Sequence, residues 1–132
     1  MPATTPEQVH ELWTNAFKAA DRDALLDLYE SSAVLAPAPD EVHEGHEAIG
    51  AALDAFLGLK PTFDMNLVQV VKAGDLAILY SRWDLVGTDP NGSEVRMGGV
   101  TSDVVRQQAD GHWLMAIDNP FGGNVAATAA VD

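Results

Sequence analysis

The chain has 132 residues, 47% of them hydrophobic, and 20 acidic against 7 basic side chains give a net charge of -13. That length suits a single domain, 1–132, with a core of its own, while the charge repels phosphate backbones and anionic membrane surfaces and so argues against nucleic-acid binding. With no cysteine, no apolar run of spanning length and no signal-peptide pattern at the N-terminus, a soluble cytoplasmic protein without disulfides or thiolate metal sites is expected.

Thr5 followed by Pro6 reads as a helix start. Val9, Leu12, Trp13, Ala16, Phe17 and Ala20 then recur at three- and four-residue spacing, the mark of a helix with one apolar face. Asp21 can cap a second, shorter helix whose buried stripe is Ala24, Leu25, Leu28 and Tyr29. Ala33 to Ala36 is a short strand candidate ended by Pro37 and Pro39, and an acidic loop, Asp40 to Glu44, follows. Ala48, Ile49, Ala52, Leu53 and Phe56 predict a third helix ending near Gly58. His43 and His46 stand beside Glu44 and Glu47, but no third well-placed ligand accompanies them, so a loop-to-helix junction is the preferred reading over a metal site.

The rest reads as strands. Phe63 to Lys72 alternates, Ala73-Gly74-Asp75 turns, and Leu76 to Val86 is a long strand with Ile78, Tyr80, Arg82 and Asp84 on one face and Ala77, Leu79, Ser81, Trp83 and Leu85 on the other. Gly87 to Ser93 loops back into a strand from Glu94 to Gln108. The ordered core is expected over about residues 6–123, with an Ala-rich, mobile tail at 124–132.

Asp110-Gly111 between two such runs is a strong hairpin signal. A two-residue turn there sets Ala109 against His112, Val105 against Ala116, and Asp103 against Asp118. Directly opposed residues have Cβ atoms about 4.5 to 5.5 Å apart, so one of two such carboxylates should hold its proton to unusually high pH. This nominates an acid/base site.

Helices first and then a meander of long strands is an α+β order. With DRDALLDLYESSAVLAP, EGHEAIGAALDAF, GDLAILYSRWDLVG and ADGHWLMAIDNPFG, the chain resembles the nuclear-transport-factor-2-like superfamily, and within it the SnoaL-like and YybH-like small bacterial proteins, over roughly Val9 to Gly122. The resemblance implies a cone: three N-terminal helices packed on a curved, mixed, mostly antiparallel sheet that encloses a pocket for a small apolar molecule. Ketosteroid isomerases, epoxide hydrolases, polyketide cyclases and dehydratases share that fold. Asp103 matches the isomerases' oxyanion acid, but their base aspartate and oxyanion tyrosine fall near Pro37 and Trp13. Arg82, Asp84 and Asp118 match the epoxide hydrolases' Arg-x-Asp and base, whose water-holding tyrosine and asparagine fall near Leu35 and Pro37. The likeness through GTDPNG and IDNPFG is to the YybH-like group, which brings no established chemistry.

Asp118 as base, Asp103 sharing its proton, and Arg82 with Asp84 orienting the pair would make a catalytic set that needs no cofactor and no metal. The pocket lining is assigned to Trp13, Phe17, Tyr80, Met97, Thr101 and Leu114. The expected function is a cofactor-independent lyase, isomerase or hydrolase; the alternative is a non-catalytic binding module with the same pocket. Plainer roles exist for each acid: an Asx turn at Asp118-Asn119-Pro120, an Arg82 to Asp103 ion pair, or a bulge that separates the carboxylates. Trp83, Leu85, Val100 and Val104 are expected on the outer sheet face, where a second copy would cover them in a homodimer.

Overall fold

The computed structural model describes residues 2–38 and 40–124; the last eight positions of the expected tail lie outside them. Helix α1 (Pro6–Lys18) starts with Pro6 in its first turn. Thr5 occupies the cap position without a side-chain bond; instead the amide and hydroxyl of Thr4 both donate to Gln8 Oε1, at 2.7 and 2.9 Å. Helix α2 (Arg22–Leu26) is capped as its sequence suggests, Asp21 accepting from the Ala24 amide at 3.1 Å. Strands β1 (Tyr29–Ala38) and β2 (Glu41–Glu44) follow, and then α3 (Gly45–Leu57). The acidic stretch after Pro39 is therefore an exposed edge strand instead of a loop. Its charges suit it to that place, because charged side chains blunt the pairing of a sheet edge.

The remaining strands are β3 (Thr62–Ala73), β4 (Leu76–Thr88), β5 (Glu94–Val100), β6 (Asp103–Gln107) and β7 (Trp113–Asp118). They form one seven-stranded sheet in the order β2-β1-β7-β6-β4-β3, with β5 also on β4; β1 and β7 are parallel and the other pairs antiparallel. This is the mixed, mostly antiparallel α+β architecture that the sequence suggests. The single strand expected from Glu94 to Gln108 is broken at Thr101-Ser102. Thr101 explains the break. Its amide donates to the Ser81 carbonyl while its hydroxyl accepts from the Ser81 amide and donates to the Leu79 carbonyl, so one residue occupies several ladder positions on β4.

One face of the sheet packs on α1 and α3 and holds the core, including Val9, Phe17, Leu35, Ile49, Leu79 and Met115. On β4 this inner face carries Ala77, Leu79, Ser81, Trp83 and Leu85, all buried, while Arg82 and Asp84 are exposed. The outer face thus holds the charged residues, and Trp83 and Leu85 lie inside. Burying indole and leucine while leaving the guanidinium in water is the cheaper choice by several kcal/mol per residue, of order.

Candidate active site

The last hairpin sets the site. Its turn is one residue wider than a two-residue turn: the Gly111 amide donates to the Gln108 carbonyl, the Gln108 amide donates to the His112 carbonyl, and Gly111 takes φ +91°. Near the turn Val105 therefore pairs with Met115, one place away from Ala116. A bulge at Ala116, opposite the Val104–Val105 step, then shifts the register back, so that Val104 pairs with Ile117. The two displacements cancel, and Asp118, next after Ile117, comes beside Asp103, next before Val104, with the two side chains within hydrogen-bonding reach. Both acids point to the inner face, 2% and 7% exposed.

Each carboxylate has further partners. Asp103 accepts from the Asn119 amide at Oδ1 (2.7 Å) and, at Oδ2, contacts His10 Nε2 at 2.6 Å. His10 Nδ1 lies 2.7 Å from Ser81 Oγ. Asp118 Oδ2 accepts from the Tyr29 hydroxyl at 2.5 Å, and that hydroxyl accepts from Trp13 Nε1–H at 2.9 Å. A continuous polar chain thus runs Trp13, Tyr29, Asp118, Asp103, His10, Ser81 through an otherwise apolar interior. Burial first, and then the negative charge of Asp103, push Asp118 well above the ordinary carboxylate range, against the Tyr29 hydrogen bond, which favours the ionised form. Burial, and then the charge of Asp118, push Tyr29 well above the usual phenol value.

The acids border a cavity whose other lining is almost wholly apolar. Trp13 and Phe17 stack at 4.9 Å, Phe63 meets Phe17 edge-on at 4.9 Å, and Trp83 meets Phe121 at 5.3 Å. These five rings form one wall; His10, Thr101, Asp103 and Asp118 form the polar end.

Trp13, Phe17 and Thr101 line the cavity as the sequence suggests. Met97 pairs with Leu85 on the inner face and packs against the core without reaching the lining. Tyr80, Arg82, Asp84 and Leu114 are not at the site. Asp103 pairs with Leu79 and therefore shares the odd-numbered face of β4, which turns Tyr80, Arg82 and Asp84 outward; Leu114 pairs with exposed Arg106 on that same outer face. Arg82 is thus neither an orienting group nor an ion-pair partner of Asp103. Trp83 and Leu85, expected outside, line the cavity, while Val100 and Val104 pair with Arg82 and Ile78 on the outer face. His43 bonds Glu41 and His46 donates to the Tyr29 carbonyl, so the two imidazoles serve different partners; among the described residues no cluster of three or more His, Asp or Glu side chains forms a metal site.

His10, Tyr29 and Ser81 are site residues that pattern reading passes over. His10 gave a signal: it lies three before Trp13 and seven before Phe17, a titratable group on the apolar stripe of α1.

The SnoaL-like domain family matches residues 9–114. The chain belongs to that family. Its fold recurs in a ketosteroid isomerase-like protein from Erwinia carotovora atroseptica, 19% identical over 85% of this chain and 88% of that one, TM-score 0.75. A candidate dehydratase of the NTF2-like family from Streptomyces avermitilis is 14% identical over 85% and 89%, TM-score 0.69. A candidate calcium/calmodulin-dependent protein kinase II association domain from Xanthomonas campestris is 26% identical over 83% and 79%, TM-score 0.70. No curated protein matches.

Proposed function

We propose that this SnoaL-like domain is a cofactor-independent acid/base enzyme that moves a proton on a small, uncharged, ring-containing molecule. The observation that carries the reading is the buried Asp118–Asp103 pair, with Asp118 pushed well above the ordinary carboxylate range, at the polar end of an aromatic-walled cavity. Protonated Asp118 gives a proton, or a strong hydrogen bond, to a substrate oxygen. The pair, now short of a proton, takes one from a neighbouring carbon, which completes an isomerisation or an elimination of water. Both acids ionised together would be costly in this setting, so the cycle favours substrates that return what they receive. An epoxide-hydrolase-like route loses support, because Arg82 and Asp84 sit on the outer face.

The wall of rings favours a flat or cyclic apolar skeleton, and among the described residues no Lys or Arg lines the cavity, while two carboxyl groups do, which disfavours an anionic one. Incubation with a panel of cyclic ketones and β-hydroxy ketones in D2O, followed by NMR, tests the proposal. Deuterium incorporation beside the carbonyl, or loss of the hydroxyl, is expected with the native protein and not with Asp118→Asn. Saturable binding of a panel member with no exchange and no elimination would make the protein a binding module of the same pocket.

A second copy remains the proposed partner, on a corrected surface. Val71, Ile78, Val104, Ile117 and Val34 follow one another across β3, β4, β6, β7 and β1 as directly paired neighbours, an apolar row on the outer face with Ile117 41% exposed. Such a row is self-complementary about a two-fold axis. Sedimentation should show a dimer at micromolar concentration and a monomer for Ile117→Glu; a monomeric native protein contradicts it.

A further inference from the structure

His10 stands in the cavity wall beside the two acids, buried on α1, and both of its ring nitrogens are taken up by protein partners. Nε2 lies 2.6 Å from Asp103 Oδ2, and Nδ1 lies 2.7 Å from the Oγ of Ser81, a fully buried residue of β4. The hydrogen bonds of the imidazole thus go to the fold and not to a molecule in the cavity. What the ring can change is the state of Asp103.

The donors around the two carboxyl groups are unequal. Asp103 Oδ1 receives the Asn119 amide at 2.7 Å, and a backbone N–H can only donate. Its Oδ2 faces the His10 ring. Among the described residues Asp118 receives the Tyr29 hydroxyl, at Oδ2, and when protonated it turns a hydroxyl of its own toward Asp103. Three donors therefore converge on Asp103 and one on Asp118. A hydrogen bond made to the charged form of an acid favours that form, so when two neighbouring acids ionise together only at a cost, the one with more donors takes the charge. The other titratable groups near the ring are Glu7 and Glu11 on α1 itself, Asp118 on β7 and, through Asp118, Tyr29 on β1. Among the described residues no Lys or Arg pairs with Asp103, so the N–H of His10 has no substitute.

We propose that His10 is a positioning residue that keeps the negative charge of the pair on Asp103 and so leaves Asp118 as the acid that gives and regains the proton at the substrate. The proposal rests on the acid/base reading above and divides its labour. Nε2–H donates to Asp103 Oδ2 and the Ser81 hydroxyl donates to Nδ1, a bond that holds the ring in the orientation and tautomer the first one requires. Asp118 passes one proton to a substrate oxygen and takes one from a substrate carbon, while His10 and Asp103 keep their proton counts throughout. The charge fixed on Asp103 is one of the causes that hold the Asp118 proton. Its two N–H donors also lower the cost of the moment at which Asp118 has given that proton and both acids are ionised. His10 acts through Asp103 and touches no reacting atom.

The test needs no substrate. Carbon-13 carboxyl shifts of Asp103 and Asp118 are followed with pH in the native protein, in His10→Met, which fills the space without an N–H, and in His10→Gln, which restores one. Nitrogen-15 shifts of the native His10 ring are read alongside. Over the range where the native pair carries one proton, Asp118 is expected at the acid position, Asp103 at the carboxylate position, and Nε2 protonated. In His10→Met the share of the proton found on Asp103 should rise about tenfold or more, and His10→Gln should return most of it to Asp118; a role in packing alone moves neither shift. A His10→Met protein in which Asp118 keeps the proton as before overturns the positioning role and leaves the acid/base site standing. A bare Nε2 in the native ring, with Asp118 still titrating high, does the same without any variant. Ordinary titration of Asp118 in the native protein overturns both readings.

Discussion

Tyr29 donates its hydroxyl hydrogen to Asp118 Oδ2 at 2.5 Å, and the same oxygen of Tyr29 accepts from Trp13 Nε1–H, so one buried phenol joins α1 and β1 to the buried acid on β7. Because this bond favours the ionised carboxylate, Tyr29→Phe should push the titration of Asp118 still higher. The variant also leaves the Trp13 N–H without its acceptor, a loss of about 1–3 kcal/mol for a buried donor. Denaturant unfolding together with the Asp118 carboxyl shift checks both effects. A downward move of Asp118 would show that the hydroxyl does not stabilise its charge.

Stability should fall with rising pH on account of Asp118. Its folded value is raised above its unfolded one of about 3.9, so the folded state binds the extra proton. That contribution is complete below the unfolded value and is lost as pH climbs through the raised folded value. Asp118→Asn stays neutral throughout, with an amide to donate to Asp103 and an oxygen to accept from Tyr29. The native-minus-variant stability from urea unfolding should therefore decline from roughly pH 4 upward; a difference that grows with pH contradicts the assignment.

Arg82→Ala and Asp84→Asn, on the outer face, should each change stability by no more than about 0.5 kcal/mol and leave the Asp118 titration where it was. A shift of that titration would bring the guanidinium back into the site.

Helix α1 ends in a Schellman motif, the Asp21 amide donating to the Ala16 carbonyl and the Ala20 amide to that of Phe17. The left-handed residue in it is Ala20, φ +54°, where an L side chain is strained. Ala20→Gly should stabilise the protein by about 0.5–1 kcal/mol, read as a higher melting temperature. A lower one would mean that Ala20 has packing worth more than its strain.

Local rules made much of this legible. The α1 stripe, the Asp21 cap and the third helix follow from spacing and cap chemistry, and the Asp103 to Asp118 juxtaposition followed from counting back from Asp110-Gly111. That count succeeded through a cancellation, since the wider turn and the Ala116 bulge are each worth one residue and opposite in sign. Which face of β4 turns inward was not legible from alternation, because Tyr80 and Ile78 make the even face half apolar. The pairing of Leu79 with Asp103 decides it, and that contact spans 24 residues of sequence. The partners of the acids were hidden for the same reason. His10 and Tyr29 reach Asp103 and Asp118 from 93 and 89 residues away, and no local pattern encodes such contacts.

A carboxyl-detected NMR titration of the free protein tests the central claim most directly. Asp118 is expected to titrate far above about 3.9, and Asp103→Asn should bring it down by removing the neighbouring charge. If Asp118 titrates as an ordinary carboxylate and ignores the loss of Asp103, the two acids share no proton and the cavity has no acid/base centre.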